Sequence, residues 1–142
     1  MILVDANVLL YAHNPSSKHH EACRQWVEAA FDSPSPVGLP WLTVWAFLRI
    51  GTNHRAFEKP LAMQEAVAIV ASWLEAPSVR LVSAGERHWE VLGELLVDAQ
   101  VTGPLVTDAV LAALAMENGA SICTTDRDFT RFQGLPIIDP TR

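Results

Sequence analysis

Four aspartates stand where a carboxylate could take part in chemistry, because each borders an apolar segment of the chain. Asp5 follows the first apolar run, Asp108 opens a later one, and Asp126 and Asp128 come shortly after the last long one. In a parallel α/β sheet the strand ends share one edge, so acids far apart in sequence can meet there. Two unit charges about 4 Å apart repel by roughly 4 kcal/mol at an effective dielectric constant of about 20. The simplest interpretation is therefore a divalent-metal site.

Each of these acids, taken alone, also has an ordinary structural explanation. Asp5 is well placed to cap a helix, and Asp108 would gain about 0.3–1 kcal/mol from the dipole of the helix it opens. The last two acids follow a Thr-Thr pair and could belong to a turn. Their joint placement at one edge favours a site, in which Asn7 could orient Asp5 and a metal-bound water.

The positions of apolar residues predict strands that alternate with helices. This pattern is typical of βαβ crossovers, and it predicts a parallel sheet with helices on both faces. The predicted strands are Ile2–Val4, Val37–Leu39, Val79–Val82, Ala120–Thr124 and Pro136–Ile138. The predicted helices are Ala6–Ala12, Ser17–Phe31, Trp41–Gly51, Leu61–Glu75, a helix carrying Trp89 to Leu96, Val106–Asn118 and a short turn over Asp126–Phe132.

Two helix boundaries carry specific local signals. The segment Ser83–Glu86 has the Ser-x-x-Glu pattern of a capping box, so we expect a helix to begin there. Gly119 follows the long apolar helix directly, and glycine is the preferred residue just beyond a helix end.

Length and composition indicate one globular domain over residues 1–142. Half of the residues are hydrophobic and 18% are charged, which excludes a disordered chain. The net charge of −6 argues against a broad phosphate-binding surface, although a modest basic patch remains compatible with it. The five tryptophans suggest apolar surface for a homodimer or another partner. Cys23 and Cys123 are far apart in sequence, so we expect reduced thiols in a cytoplasmic protein without a signal peptide or membrane helix.

These features together resemble a PIN domain, most closely the toxin nuclease of a VapBC-type toxin–antitoxin pair. The resemblance covers nearly the whole chain and rests mainly on Val4–Leu9, Phe47–Arg49, Asp108–Ala115 and Thr125–Phe132. It implies a three-layer α/β/α sandwich with a central parallel sheet of about four to five strands. It also implies a Mg²⁺- or Mn²⁺-dependent endoribonuclease that cuts structured RNA, such as tRNA or rRNA.

The same resemblance assigns roles to residues of the predicted site. It implies that Asp5, Asp108 and Asp126 are metal ligands, that Asp128 lies beside them, and that Thr125 supports the site by hydrogen bonding. It further implies a VapB-type antitoxin as a partner, which would lay an apolar segment on the surface and direct a basic side chain towards the acids.

Several arginines could contact the phosphates of an RNA substrate. They are Arg49, Arg55, Arg127 and Arg131. Solvated positions on a loop or a helix face are an equally good interpretation of the same residues.

One position departs from the family pattern, and it keeps a second function open. Many PIN domains carry a glutamate in the helix before the Phe-Leu-Arg segment, where this chain has Ala46. The alternative is therefore a degenerate PIN-like module that binds protein or RNA without cutting it. An aspartyl-phosphate phosphatase ranks lower, because it would need a second aspartate at Asn7 and a catalytic lysine.

Overall fold

A computed structural model describes residues 1–142, and at its centre lies a sheet of five parallel strands. The strands are β1 (Ile2–Val4), β2 (Val37–Pro40), β3 (Val79–Val82), β4 (Ser121–Cys123) and β5 (Ile137–Ile138). Their order across the sheet is β3-β2-β1-β4-β5, so the first strand is central. The predicted parallel sheet of four to five strands is confirmed.

Six α-helices and one short 3₁₀ helix connect the strands. The α-helices are α1 (Ala6–Ala12), α2 (His20–Asp32), α3 (Trp41–Gly51), α4 (Met63–Glu75), α5 (His88–Asp98) and α6 (Leu105–Glu117), and the 3₁₀ helix spans Arg127–Arg131. None of them has the length and apolar character that crossing a membrane would require.

The sheet separates two hydrophobic cores, because successive side chains of a strand point to opposite faces. On one face Val4 packs in a core built with α1 to α4, and on the other Leu3 packs in a core built with α5 and α6. Gly38 lies beside Leu3 in the register of β1 and β2, and a Cβ there would come within 2.7 Å of Leu3 Cδ1. The helices thus cover both faces, and the predicted three-layer sandwich is confirmed.

The helix predicted to begin with a capping box at Ser83 begins later, so that prediction is wrong. The segment from Ser83 to Arg87 is exposed, and α5 begins at His88. The carboxylate of Glu117, at the end of α6, accepts a hydrogen bond from the Gly85 N–H at 3.0 Å and lies 2.6 Å from His88 Nδ1. This contact from another helix replaces the local cap.

Helix α6 brings Asp108 to the sheet because its middle is small and fully buried. Ala109, Ala112 and Ala113 have no exposed surface, so the helix can lie close against the sheet. Asn118 ends the helix, and Gly119 follows with a φ of +59°, a left-handed conformation that glycine adopts without strain. The predicted glycine position just beyond the helix end is confirmed.

Candidate metal centre

The site forms where the neighbouring strands β1 and β4 end. The backbone N–H of Asp5 donates a hydrogen bond to the carbonyl of Cys123 at 2.9 Å, which continues the pairing of the two strands. Asp5 therefore lies next to the turn that leads from β4 into the 3₁₀ helix. Acids separated by more than a hundred residues meet here because the two strands are adjacent and parallel.

Three carboxylates form the tightest acidic group of the molecule. One oxygen from each of Asp108, Asp126 and Asp128 lies within 4.8 Å of the other two. Asp108 comes from the first turn of α6, whereas the other two belong to the turn after β4. That turn is fixed locally, because the Asp128 N–H donates to Asp126 Oδ1 at 2.9 Å.

Asp5 lies beside this group, and one of its oxygens is already bonded. Its Oδ2 accepts hydrogen bonds from the Thr124 hydroxyl at 2.7 Å and from Asn7 Nδ2 at 3.2 Å. The resemblance implies that Asp5, Asp108 and Asp126 are metal ligands. In the structure the tight group contains Asp128 as well as Asp108 and Asp126, and Asp5 lies next to it. Asn7 does hold Asp5, which is the contact proposed for it from the sequence.

The buried hydroxyl of Thr124 connects the strand ends that carry the acids. It is 1% exposed, donates to Asp5, and accepts from Asn7 Nδ2 at 3.3 Å and from the Asp126 N–H at 3.0 Å. Sequence reasoning chose its neighbour Thr125, which contributes only its backbone N–H, to Asn7 Oδ1 at 3.3 Å. The signal for Thr124 was its place as the last residue of the apolar run, where a buried side chain is expected.

The acids disturb one another's ionisation. Burial, together with the charges of Asp126, Asp5 and Asp128, raises the pKa of Asp108 to about 6, while Arg131 acts in the opposite direction. Burial also raises the pKa of Asp5, and the charge of Asp126 adds to it, whereas the hydrogen bond from Thr124 lowers it. Both shifts mean that negative charge is unfavourable here unless a cation balances it.

The donor set fits a hard divalent cation. Mg²⁺ binds carboxylate oxygens at about 2.1 Å and keeps several waters, so two of its protein ligands lie at most about 4.2 Å apart. The three carboxylate oxygens lie within 4.8 Å of one another, close to that limit, and Asp128 is exposed. The site contains no cysteine or histidine ligand, which agrees with an ion that prefers oxygen.

Helix α3 supports the site without adding an acid to it. The buried hydroxyl of Thr43 donates to the carbonyl of Val4 at 2.8 Å, which fixes the first turn of α3 against the end of β1. Ala46 lies one helical turn further along and packs, half-buried, against the core. The position that carries glutamate in many PIN domains is thus occupied by a methyl group.

The four arginines considered for RNA binding fall into two pairs. Arg127 and Arg131 are exposed on the 3₁₀ helix next to the acids, and Arg131 is close enough to affect Asp108. Arg49, near the end of α3, and Arg55, in the loop after it, are also exposed. None of the four forms an ion pair within the protein, so all keep free guanidinium groups.

Comparison with known proteins places this chain in a family. The sequence model of the PIN-domain family matches residues 2–135 of this chain. Ribonuclease VapC37 of Mycobacterium tuberculosis is 44% identical over 135 residues, which cover 95% of this chain and 94% of that protein. Ribonuclease VapC31 of the same species is 40% identical and covers 99% of both chains.

Solved structures share the same architecture. VapBC-1 from nontypeable Haemophilus influenzae superimposes with a TM-score of 0.72 over 100% of both chains, at 16% identity. Since the family model and these relatives span almost the entire sequence, the chain belongs to the PIN-domain family and, within it, to the VapC group.

Proposed function

We propose that residues 1–142 form a single nuclease domain, a Mg²⁺- or Mn²⁺-dependent endoribonuclease that hydrolyses phosphodiester bonds in structured RNA such as tRNA or rRNA. It would act in the cytoplasm as the toxin of a type II toxin–antitoxin pair. The observation that carries this proposal is the group of three carboxylates, within 4.8 Å of one another, from the first turn of α6 and the turn after β4. The ribonuclease names of relatives at about 40% identity support the choice of RNA as substrate.

The roles of the acids follow from their contacts. Asp108, Asp126 and Asp128 would hold the ion, and Asp5 would complete its surroundings through the oxygen that is free of Thr124 and Asn7. A bound divalent ion supplies positive charge that polarises the phosphate and lowers the pKa of a bound water. Asp128 is the only exposed acid of the four, so the oxygen of its carboxylate that does not bind the ion is the best placed to orient the attacking water.

Two further groups would support the reaction. The hydroxyl of Thr124 and the amide of Asn7 keep Asp5 in one orientation, which preserves the site when the charges change. Among the exposed arginines, Arg127 and Arg131 would contact phosphates close to the acids. Arg49 and Arg55 would contact more distant parts of the substrate.

Apolar surface on α3 and α4 supports the proposed protein partners. Trp45 is 61% exposed, Val67 53% and Met63 52%, so these two helices present large apolar side chains to the surface. A VapB-type antitoxin and a second copy of this chain are the partners we propose for it. The Haemophilus influenzae neighbour is described as a VapBC structure, which agrees with an antitoxin that binds this fold.

The proposal is tested by incubating the purified chain, free of antitoxin, with total cellular RNA and Mn²⁺ or Mg²⁺. New 5′ ends are mapped by sequencing. We expect discrete cuts that disappear with EDTA and in the Asp5→Asn and Asp108→Asn variants. Asp32→Asn, which makes the same change at an exposed position at the end of α2, is the matched control and should cut normally.

The absence of metal-dependent cuts under all these conditions would overturn the nuclease proposal. RNA retention by the same protein, unchanged in Asp5→Asn, would then favour the degenerate binding module that Ala46 left open. Cuts that persist in both site variants would assign the activity to other residues or to a contaminant.

A further inference from the structure

A polar cavity of about 310 Å³ lies immediately beside the acids, beyond the ends of β4 and β5. It shares Asp126 with the acidic group, and its other polar lining includes Thr125, Arg127, Asp139 and Arg142. Only one of its lining residues is apolar. A cavity with this lining is suited to a small charged ligand and not to an apolar side chain.

Both arginines and one of the three threonine hydroxyls of this cavity are largely unused by the protein itself, whereas the hydroxyls of Thr124 and Thr130 are already bonded. The guanidinium of Arg127 and the hydroxyl of Thr125 both line the cavity, and neither has a hydrogen-bond partner in the structure. Arg142 forms only a long ion pair with Asp139, at 3.5 Å, and 58% of its side chain is exposed. Free donors of this kind can bind an anion without first breaking internal contacts.

The one acid that belongs to the cavity alone is already well bonded. Asp139 Oδ1 accepts from the Thr141 N–H at 2.9 Å and from the Thr141 hydroxyl at 2.6 Å. The other acid, Asp126, faces the proposed metal as well. With the charge of Asp126 balanced by a cation, the two arginines give the cavity a positive balance that suits a phosphate group.

We propose that this cavity binds the phosphate adjacent to the scissile one in the RNA strand, with Arg127 and Arg142 as cationic contacts and Thr125 as a hydrogen-bond donor. The inference rests on the proposed nuclease function, because the metal site would hold the scissile phosphate. The common wall at Asp126 places the two phosphate sites side by side. The RNA strand would therefore run along the ends of β4 and β5.

The test uses three small probes and measures binding, so that it does not depend on cleavage. Adenosine 5′-monophosphate, adenosine 3′-monophosphate and adenosine 3′,5′-bisphosphate are titrated calorimetrically into the full chain with Mn²⁺. We expect the bisphosphate to bind about tenfold more tightly than either monophosphate, which is the effect of one charge-assisted hydrogen bond at the low end of its range.

Substitutions in the cavity then show where the second phosphate binds. In Arg127→Gln we expect the ratio of bisphosphate to monophosphate affinity to fall to about one, and in Arg142→Gln to fall in part. Arg127 is exposed and unpaired, so its replacement leaves the fold without a lost contact. Arg87→Gln removes the same charge from an exposed position before α5, where the side chain is 74% exposed, and should keep the tenfold ratio.

The outcomes separate the cavity from the metal site. Monophosphates that bind only with Mn²⁺, combined with a ratio of one in the unmodified chain, would overturn the inference and leave the nuclease proposal standing. A tenfold ratio that survives the Arg127→Gln, Arg142→Gln double variant would also overturn it. If neither monophosphate binds in a metal-dependent manner, both the inference and the proposed function fail.

Discussion

The raised pKa of Asp108 predicts that its replacement by asparagine stabilises the metal-free protein at neutral pH. In the folded chain its carboxylate is half-buried beside three other acids, whereas in the unfolded chain it is surrounded by water. The ionised form is therefore less favourable in the folded state. Asparagine has a similar shape but carries no charge, so Asp108→Asn removes the repulsion without leaving a cavity.

The magnitude follows from the two pKa values of Asp108, which are 3.8 for the reference and about 6 in the folded state. One pKa unit corresponds to about 1.4 kcal/mol, so the ionised carboxylate costs about 3 kcal/mol at most, and solvent screening reduces this to about 2 kcal/mol. The substitution also removes the favourable interaction between a negative charge in the first turn of α6 and the helix dipole, which costs about 0.3–1 kcal/mol. The expected net gain is about 1–2 kcal/mol.

The gain depends on pH in a defined direction. Between pH 3.8 and about 6 the folded state binds more protons than the unfolded state, so the stability of the unmodified chain falls as the pH rises. Above about pH 6 the ionised carboxylate of Asp108 destabilises the folded chain by the full amount. Below pH 3.8 this carboxyl group is protonated in both the folded and the unfolded state. The advantage of Asp108→Asn should therefore be present at pH 7.5 and disappear near pH 4.

Urea unfolding in EDTA at pH 4 to 8 measures this advantage directly. Glu90→Gln is the matched control, since Glu90 lies in the first turn of α5 with 62% of its side chain exposed and should give no gain at any pH. A divalent ion at about 100 times its dissociation constant should stabilise the unmodified chain by about 2.7 kcal/mol and leave Asp108→Asn nearly unaffected. An Asp108→Asn variant less stable than the unmodified chain at pH 7.5 in EDTA would refute this reasoning.

Three other predictions concern residues around the site. Ala46→Glu should bind Mg²⁺ more tightly in a calorimetric titration but unfold at lower urea concentration without metal, because it adds a partly buried charge. Thr124→Val should cost about 1–3 kcal/mol in urea unfolding, since it leaves Asp5 without its shortest hydrogen bond, and Thr124→Ser should restore most of that loss. Burial raises the pKa of Cys23 to about 11 and that of Cys123 further, so neither thiol should react with a disulfide reagent at pH 8 until urea unfolds the chain.

The general location of the site could be predicted from the sequence because the rule behind it is topological. Asp5 and Asp126 follow buried strands, and the ends of parallel strands lie at one edge of a sheet. The sequence contained no information on strand order, however. Asp5 and Asp126 are neighbours because β1 pairs with β4; with another strand order they could lie far apart along the same edge of the sheet.

The errors came from contacts between elements distant in sequence. The capping box expected at Ser83 is a local pattern, but Glu117 from the end of α6 binds the same segment, and α5 begins only at His88. The choice between Thr124 and Thr125 depended on which side chain turns inward where β4 ends. Alternation along a strand gives no guide here, because Ile122, Cys123 and Thr124 are all buried, and the signal for Thr124 is its place at the end of that run.

The unequal burial of the acids indicates the side from which a substrate would approach. Asp5 is bonded on its inner side by Thr124 and Asn7, whereas Asp128 is the only exposed acid of the four. Because Ala46 adds no carboxylate from α3, the negative charge lies towards the 3₁₀ helix. Free coordination positions of a bound ion would then face that helix and its exposed Arg127. An RNA strand approaching from this side meets a cation before it meets the carboxylates, which makes the contact favourable for a protein of net negative charge.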